Sequence, residues 1–427
     1  MNVTFYTLGC KVNQYETQSM REMLQKLNFI CDEKLKSDII IINSCTVTAE
    51  SDRKTRQLVR RSRRINPDAI IVLTGCMVQA FPDSAMELKE ADIIIGNKNI
   101  PELAENIQNF LTEKKRVINI NAHKSGDVYN TPSISDFSER TRANIKIEDG
   151  CDRFCTYCII PTARGRVRSR SIDDIRIEAK QLAQKGYKEI VLVGINLSAY
   201  GKDTSFNLCD AVDAVCETQG ILRVRLGSLE PDHITDEMLM RFRMQEKFCP
   251  QFHLSLQSGC NETLKRMNRH YNPDFYSQLV ERIRKIFPGA AITTDIMVGF
   301  AGESEEEFNE SIEFVKSIGF AKAHIFSYSR RSGTIAASLK NQVQNAVKEK
   351  RSKLMNEAAK SSEEQFLKSQ TGKVFPVLFE TATDGFFEGY TPNYSRVLVK
   401  STEPLYGKIH NTQIISAKEN YCIGKLV

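Results

Sequence analysis

The sequence predicts an α/β protein of three domains: an open parallel α/β sheet, a partial (β/α)6 barrel and a small OB-like β-barrel. Apolar β-branched runs alternate with amphipathic stretches over residues 1–112, and six strand-plus-helix repeats fill residues 142–367. In residues 368–427 the apolar period changes to two, which is typical of short antiparallel strands. Residues 113–141 are polar and lack a clear period, so they are predicted to form a linker.

In the first domain, three cysteines each stand where a predicted strand ends. The strands are expected at residues 3–6, 39–42, 69–73 and 92–95, and helices at 15–28, 50–65, 79–89 and 100–111. Cys10, Cys45 and Cys76 close the first three strands. Because the carboxyl ends of parallel strands share one edge of a sheet, we expect these thiols to converge there. They either bind a metal cluster together or are small buried side chains.

The second domain repeats a strand and a helix about six times. Strands are expected at residues 143–148, 189–193, 222–226, 252–256, 291–296 and 323–328, and helices at 173–185, 206–218, 235–245, 273–286 and 304–318. Chemistry in such barrels gathers at the carboxyl ends of the strands. The candidates there for contact with a cofactor are Gly194, Asn196, Ser228, Glu230, Gln257 and Asp295. Each of them also fits an ordinary cap or loop position.

A C-x3-C-x2-C motif, Cys151, Cys155 and Cys158, directly follows the first barrel strand. Structural zinc normally takes four protein ligands, and no further Cys or His follows before Cys209. Three thiolates can instead hold a cubane iron–sulfur cluster and leave one iron open for a small molecule. Tyr157 then fits an aromatic side chain that shields the cluster from water. A partial zinc site or a chance grouping of cysteines is the alternative.

Basic residues are distributed unevenly along a chain whose net charge is only +6. They concentrate in the predicted helix after Cys45 and in an alternating series from Arg164 to Arg170. A nucleic-acid backbone is one explanation for such like charges, and a solvated surface is the other. In the last domain, exposed aromatic side chains would stack on unpaired bases, unless they belong to its core or rim. The candidate RNA contacts are Arg53, Arg56, Arg60, Arg166, Arg168, Tyr390, Tyr394 and Arg396.

Composition narrows the class of protein. No apolar run approaches the roughly 20 residues that span a bilayer, and the first residues show no secretory signal pattern. We therefore expect a cytoplasmic protein. In a reducing compartment, 12 cysteines favour metal or redox chemistry over disulfide bonds.

Several motifs resemble those of known families. The C-x3-C-x2-C loop after a strand resembles the radical S-adenosylmethionine (SAM) superfamily. The stretches Thr7–Glu16 and Ile42–Thr48 are similar to the N-terminal domain of the methylthiotransferases, and the last domain resembles the TRAM module of tRNA-modifying enzymes. The form Leu-Gly-Cys-Lys-Val-Asn at Leu8–Asn13 is similar to the methylthiotransferase branch that acts on tRNA N6-threonylcarbamoyladenosine.

This resemblance implies two [4Fe–4S] clusters and SAM. One cluster, on Cys151, Cys155 and Cys158, would cleave SAM to a 5′-deoxyadenosyl radical. An auxiliary cluster on Cys10, Cys45 and Cys76 would deliver sulfur to C2 of the adenosine at position 37 of tRNA. The implied partners are the tRNA anticodon stem-loop and an electron donor such as flavodoxin or ferredoxin, with the enzyme a monomer.

Three alternatives stay open from the sequence. The same chemistry could act on isopentenyladenosine in tRNA or on an aspartate of a ribosomal protein. A noncatalytic RNA-binding protein with structural zinc is the alternative outside the enzymes.

Overall fold

The structure is a computed structural model that describes residues 1–32, 34–137 and 141–427. Its N-terminal domain is a five-stranded parallel sheet with strands in the order β1-β2-β3-β4-β5. The elements are β1 (Val3–Thr7), α1 (Lys11–Lys26), β2 (Ile39–Ser44), α2 (Ala49–Ile65), β3 (Ile70–Gly75), α3 (Cys76–Ala80), α4 (Pro82–Met86), β4 (Ile93–Ile95), α5 (Leu103–Glu113) and β5 (Val117–Asn119). β2 and β3 are buried along their whole length, as their isoleucine-rich sequences require.

Two boundaries in this domain differ from the prediction. The single helix expected over 79–89 is two short helices, because Pro82 lacks the N–H group that would continue α3 and instead begins α4. The sheet also extends past residue 112, since β5 pairs with β4 inside the segment predicted to be a linker. A three-residue strand is too short to show a clear period in a sequence.

The central domain contains six main parallel strands followed by helices, as predicted. Its elements are β6 (Arg142–Lys146), β7 (Glu148–Asp149), α6 (Ile160–Arg164), β8 (Arg168–Ser169), α7 (Ile172–Gln184), β9 (Glu189–Val193), α8 (Leu208–Cys216), β10 (Arg223–Leu226), β11 (Ser228–Leu229), α9 (Asp236–Met244), β12 (Gln251–Leu254), α10 (Asn261–Arg266), α11 (Pro273–Ile286), β13 (Ala291–Val298), α12 (Glu305–Ile318), β14 (Lys322–Ser327), α13 (Ile335–Ser338) and α14 (Asn345–Lys368). The main strands form two sheets, β10-β9-β6 and β11-β12-β13-β14, while β7 and β8 pair with each other. No pairing among the described residues joins β6 to β14. The barrel is therefore partial, with an opening between its first and last strands.

The C-terminal domain is a closed five-stranded barrel in the order β15-β16-β17-β19-β18. Its strands are β15 (Val374–Thr383), β16 (Phe386–Tyr390), β17 (Arg396–Lys400), β18 (Ile409–Ala417) and β19 (Cys422–Leu426). Alternate residues such as Val377, Phe379, Val397 and Val399 point inward and are fully buried. The period of two in the sequence thus predicted this domain correctly. None of the helices described for the chain has the length and apolar character needed to cross a membrane.

A buried carboxylate, Glu189, binds the arginines that link the central barrel to the C-terminal barrel. Its carboxylate lies 2.8 Å from Arg225 Nε, 3.3 Å from Arg223 Nη1 and 3.9 Å from Arg142 Nη1. Arg223 then donates to the backbone carbonyl of Tyr390 at 3.0 Å, and Arg225 donates to carbonyls of the next two residues. Although burial alone raises the pKa of Glu189, the charges of Arg225 and Arg142 lower it to about 2.

We expect Glu189→Gln to destabilise the protein by about 3–5 kcal/mol at neutral pH, because it leaves buried guanidinium groups without their counter-charge. Since the folded-state pKa lies below the unfolded one, this contribution is present above the unfolded pKa and is lost as pH falls towards about 2. Denaturant unfolding of both proteins at pH 7 and pH 3 measures the difference, which should shrink at pH 3. Glu313→Gln, on an exposed helix face, is the control and should change stability by about 0.5 kcal/mol or less.

Candidate active site

The three strand-end cysteines lie together at one edge of the N-terminal sheet. Cys10 precedes α1, Cys45 follows β2 and Cys76 begins α3. The side-chain oxygen of Asn13 lies 3.7 Å from Cys10 Sγ and 4.0 Å from Cys76 Sγ. A Cβ atom at Gly9, whose φ is +106°, would lie 3.0 Å from Cys45 Sγ. The topology thus brings these thiols, the strand-end triad, into one group, as expected from their positions.

The C-x3-C-x2-C motif occupies a loop between β7 and α6. The N–H of Cys151 donates to the carbonyl of Gly165 at 3.0 Å, and the N–H of Cys158 donates to the carbonyl of Cys155 at 2.9 Å. Arg269 Nη1 donates to Cys155 Sγ at 3.2 Å. These contacts fix the second group of thiols, the loop triad, below the carboxyl ends of the barrel strands.

Buried thiols in both triads resist ionisation without a bound cation. Burial, together with a contribution from neighbouring thiols of the same triad, raises the pKa of Cys76, Cys151 and Cys158 to about 12. A metal centre removes this penalty because it binds the thiolate form directly. The donor sets therefore suit metal ligation better than free-thiol chemistry.

The number and type of donors bear on the kind of metal centre. Structural zinc normally takes four protein ligands, whereas each triad offers three thiols. Cubane clusters take cysteine thiolates on separate irons. Each triad therefore fits a [4Fe–4S] cluster by the chemistry of its donors.

A cavity of about 710 Å³ lies beside the strand-end triad. Its walls include Gly9 and Cys10 of the N-terminal domain and three of the predicted strand-end residues, Gly194, Ser228 and Asp295. The C-terminal barrel completes it with Tyr390, Tyr394 and Arg396. All three domains thus contribute to one space, which is of the size that binds small organic ligands.

The remaining candidates for cofactor contact are not among the walls of this cavity: Tyr157, Asn196, Glu230 and Gln257. Glu230 accepts from Arg269 at 2.5 Å, so it orients the arginine that contacts Cys155. Gln257 has a left-handed φ of +69° and donates its N–H to a backbone carbonyl of β13. Tyr157 packs edge-on against Phe300 beside the loop triad, where an aromatic shield was predicted.

Glu148, which sequence reasoning missed, lies next to the loop triad. It is fully buried, and burial raises the pKa of its carboxyl well above the usual range. Oε2 accepts the N–H of Asn196 at 2.8 Å, and a Cβ atom at Gly194 would lie 2.6 Å from that oxygen. Oε1 has no hydrogen-bond partner among the described residues. An acidic residue that directly follows an apolar strand was the signal in the sequence.

Comparison with known proteins agrees with this geometry. Residues 145–315 match the radical SAM superfamily, and residues 2–96 match the uncharacterized protein family UPF0004. Relatives include the threonylcarbamoyladenosine tRNA methylthiotransferases MtaB of Bacillus subtilis and of Aquifex aeolicus. The first is 37% identical over 100% of this chain and 96% of the relative, and the second is 38% identical over 87% and 91%. The chain belongs to the radical SAM methylthiotransferase family.

Other relatives of this methylthiotransferase have a different name. The tRNA-2-methylthio-N(6)-dimethylallyladenosine synthase of Caldicellulosiruptor saccharolyticus is 34% identical over 100% of this chain and 93% of the relative. Among solved structures, the radical SAM methyltransferase TsrM of Kitasatospora setae shares the fold. It has a TM-score of 0.58 at 15% identity, covering 79% of this chain and 74% of that one.

The basic helix of the methylthiotransferase, α2, presents its cations to solvent. Arg53 and Arg60 are exposed, and Arg56 is half-buried. Arg53 is partly neutralised by Glu50 at 2.6 Å. A groove of about 690 Å³ runs along this helix and reaches Leu8, close to the strand-end triad. The predicted RNA contact of this helix is geometrically accessible.

The alternating arginines after the loop triad do not form the predicted RNA path. Arg164, Arg168 and Arg170 are buried, with 0%, 4% and 2% of their surface exposed. Arg168 donates to two backbone carbonyls and pairs with Asp149 at 3.4 Å, so its predicted contact with RNA is wrong. Only Arg166 of this series is exposed. The four side chains therefore do not share one side of an extended segment, because Arg164 ends α6 and Arg166 alone of the four is exposed.

The aromatic residues of the C-terminal barrel have a structural role as well as a place in the cavity wall. Tyr390 and Tyr394 stack at 4.7 Å, and the guanidinium of Arg142 lies about 5 Å from both rings. Arg396 pairs with Glu388 at 2.6 Å. The rings are half-buried, so RNA stacking on them stays a prediction for their cavity-facing edges only.

Proposed function

We propose that this protein adds a 2-methylthio group to N6-threonylcarbamoyladenosine at position 37 of tRNA, in the cytoplasm and as a monomer. The observation that supports the proposal is the cavity beside Cys10, because a cysteine of the strand-end triad and barrel residues such as Gly194 and Ser228 line the same space. The names of relatives at 34–38% identity over most of the chain support the substrate.

The loop triad would hold the [4Fe–4S] cluster that binds SAM, and the strand-end triad would hold the auxiliary cluster. When bound, these groups supply the 5′-deoxyadenosyl radical and the sulfur that acid–base chemistry cannot provide at an adenine C2–H. Glu148 has a free, buried oxygen that suits the amino group of SAM. Flavodoxin or ferredoxin would supply the electron.

The remaining parts of the chain would bind and orient the RNA. A base inside a stacked loop cannot reach a cavity of this kind, so adenosine 37 must turn out of its stack. Its ring would then lie between Cys10 and Ser228, with water excluded by the walls from the C-terminal barrel. The exposed cations of α2 and Arg166 would contact phosphates of the anticodon stem-loop.

Substrate identity is tested with reconstituted protein, SAM, a reductant and three anticodon stem-loops. Their position 37 carries N6-threonylcarbamoyladenosine, isopentenyladenosine or unmodified adenosine, and mass spectrometry of the nucleosides measures the product. We expect 2-methylthio product from the first RNA at a rate at least ten times that from the others. A faster reaction with the isopentenyladenosine RNA would instead group this protein by substrate with the tRNA-2-methylthio-N(6)-dimethylallyladenosine synthases. The absence of a 2-methylthio product from all three RNAs would reject the proposal.

A further inference from the structure

Arg164 lies between the two triads: it follows the loop triad in the chain and hydrogen-bonds a thiol of the strand-end triad. It is the last residue of α6, the helix that follows the loop triad, and none of its surface is exposed. Its Nε donates to Cys76 Sγ at 3.2 Å. Its Nη2 donates to Asn13 Oδ1 and to Glu16 Oε2, both at 2.9 Å. One side chain of the central domain therefore contacts a thiol, an amide and a carboxylate of the N-terminal domain.

Arg164 belongs to a buried network of cations and carboxylates. Lys146 pairs with Glu16 at 2.8 Å and with Asp149 at 2.7 Å, and Arg168 pairs with Asp149 at 3.4 Å. Arg164 is thus held in a fixed orientation by groups that are themselves paired.

A buried guanidinium is costly unless anions accompany it. The thiolate that Cys76 would present to a cluster is one such anion, and Arg164 Nε already donates to that sulfur. Hydrogen bonds to cluster sulfurs and nearby charge are two means by which a protein sets the reduction potential of an iron–sulfur cluster.

We propose that Arg164 is a positioning residue that sets the reduction potential of the auxiliary cluster through Cys76. The proposal rests on the proposed function, because it requires a cluster on the strand-end triad. Under this proposal, α6, the helix that follows the loop triad, acts directly on the auxiliary cluster through Arg164. Replacement of Arg164 should lower that potential, since the reduced and more negative cluster loses a compensating charge. Replacement of Glu16 should raise it, since the guanidinium is then less neutralised.

The alternative is that Arg164 merely clamps two domains. Arg331 provides the matched control, because it is also a buried arginine between the barrel and the N-terminal domain. Its described hydrogen-bond partners are oxygens, those of Asp52 and Thr46, both at 2.7 Å. A clamp without a sulfur contact should affect stability but not the potential.

The experiment is a redox titration of full-length reconstituted protein, followed by electron paramagnetic resonance. The two-cluster enzyme should show two reduction steps, and the variant C151A/C155A/C158A should keep only the auxiliary one. In Arg164→Met that step should move to a more negative potential, and in Glu16→Gln to a more positive one. Arg331→Met should leave it in place.

Two results would overturn the role of Arg164. An unchanged auxiliary step in Arg164→Met is one, and equal shifts in Arg164→Met and Arg331→Met are the other. If Arg164→Met does not fold, Glu16→Gln decides alone, because an unchanged or more negative step there contradicts the proposal. If C151A/C155A/C158A binds no iron, the auxiliary cluster itself is rejected and the role of Arg164 with it. Iron content thus separates the two failures.

Discussion

Cys151→Ala should abolish the formation of 5′-deoxyadenosine from SAM while the protein still binds the iron of one cluster. In the proposed function the loop triad would supply the thiolates for the SAM-binding cluster, and Cys151 is the first of these three residues, in the loop between β7 and α6. Loss of one of three ligands leaves two irons of a cubane without protein anchors. Because the cofactor carries the difficult step, no residual rate is expected from the remaining side chains.

Chromatography of SAM products and an iron assay measure these two quantities. Cys209→Ala is the matched control, because Cys209 is buried in α8 among core residues and should leave 5′-deoxyadenosine formation intact. Continued SAM cleavage by Cys151→Ala would remove the loop triad from the chemistry. Loss of all iron in this variant would mean that the two triads do not hold separate clusters.

Cys45→Ala should have the opposite pattern, with SAM cleavage retained and the 2-methylthio product lost. Cys45 belongs to the strand-end triad and forms no part of the loop that would bind SAM. Its removal opens the auxiliary centre but leaves Arg269 and the loop triad unchanged. We expect 5′-deoxyadenosine at a rate within about threefold of the wild type and no detectable methylthio nucleoside.

Cys31→Ala, a half-buried cysteine after α1, should keep both activities and is the control for this triad. Undiminished methylthiolation by Cys45→Ala would reject the auxiliary cluster. Loss of SAM cleavage together with methylthiolation would show that the two centres cannot be separated by substitution.

The sequence predicted the domains and the strand-end triad because both follow from short-range patterns. Continuous isoleucine runs require strands buried on two faces, and parallel strands place their ends at one edge. Cys10, Cys45 and Cys76 could therefore be grouped before any contact was known. The change of period to two near Val374 located the last barrel in the same way.

The sequence could not predict which charged and aromatic side chains make contacts between the domains. Period-two alternation of the arginines assumes an extended segment, whereas Arg164 ends α6, and it does not distinguish a side that faces solvent from one that faces another domain. Glu16 lies 130 residues from Lys146 in the sequence, and the two form an ion pair only after the domains pack. Long-range ion pairs leave no local period, so this part of the site required the structure.

Part of the attachment between the central barrel and the C-terminal barrel is made by main-chain oxygens. Arg223 and Arg225 donate to the carbonyls of Tyr390, Thr391 and Pro392, and every amino acid supplies that acceptor. Substitutions at these three positions would keep these acceptors, although a change at Tyr390 would remove its ring contact with Arg142. The side chains at Thr391 and Pro392 can therefore vary during evolution while these hydrogen bonds between the two barrels persist.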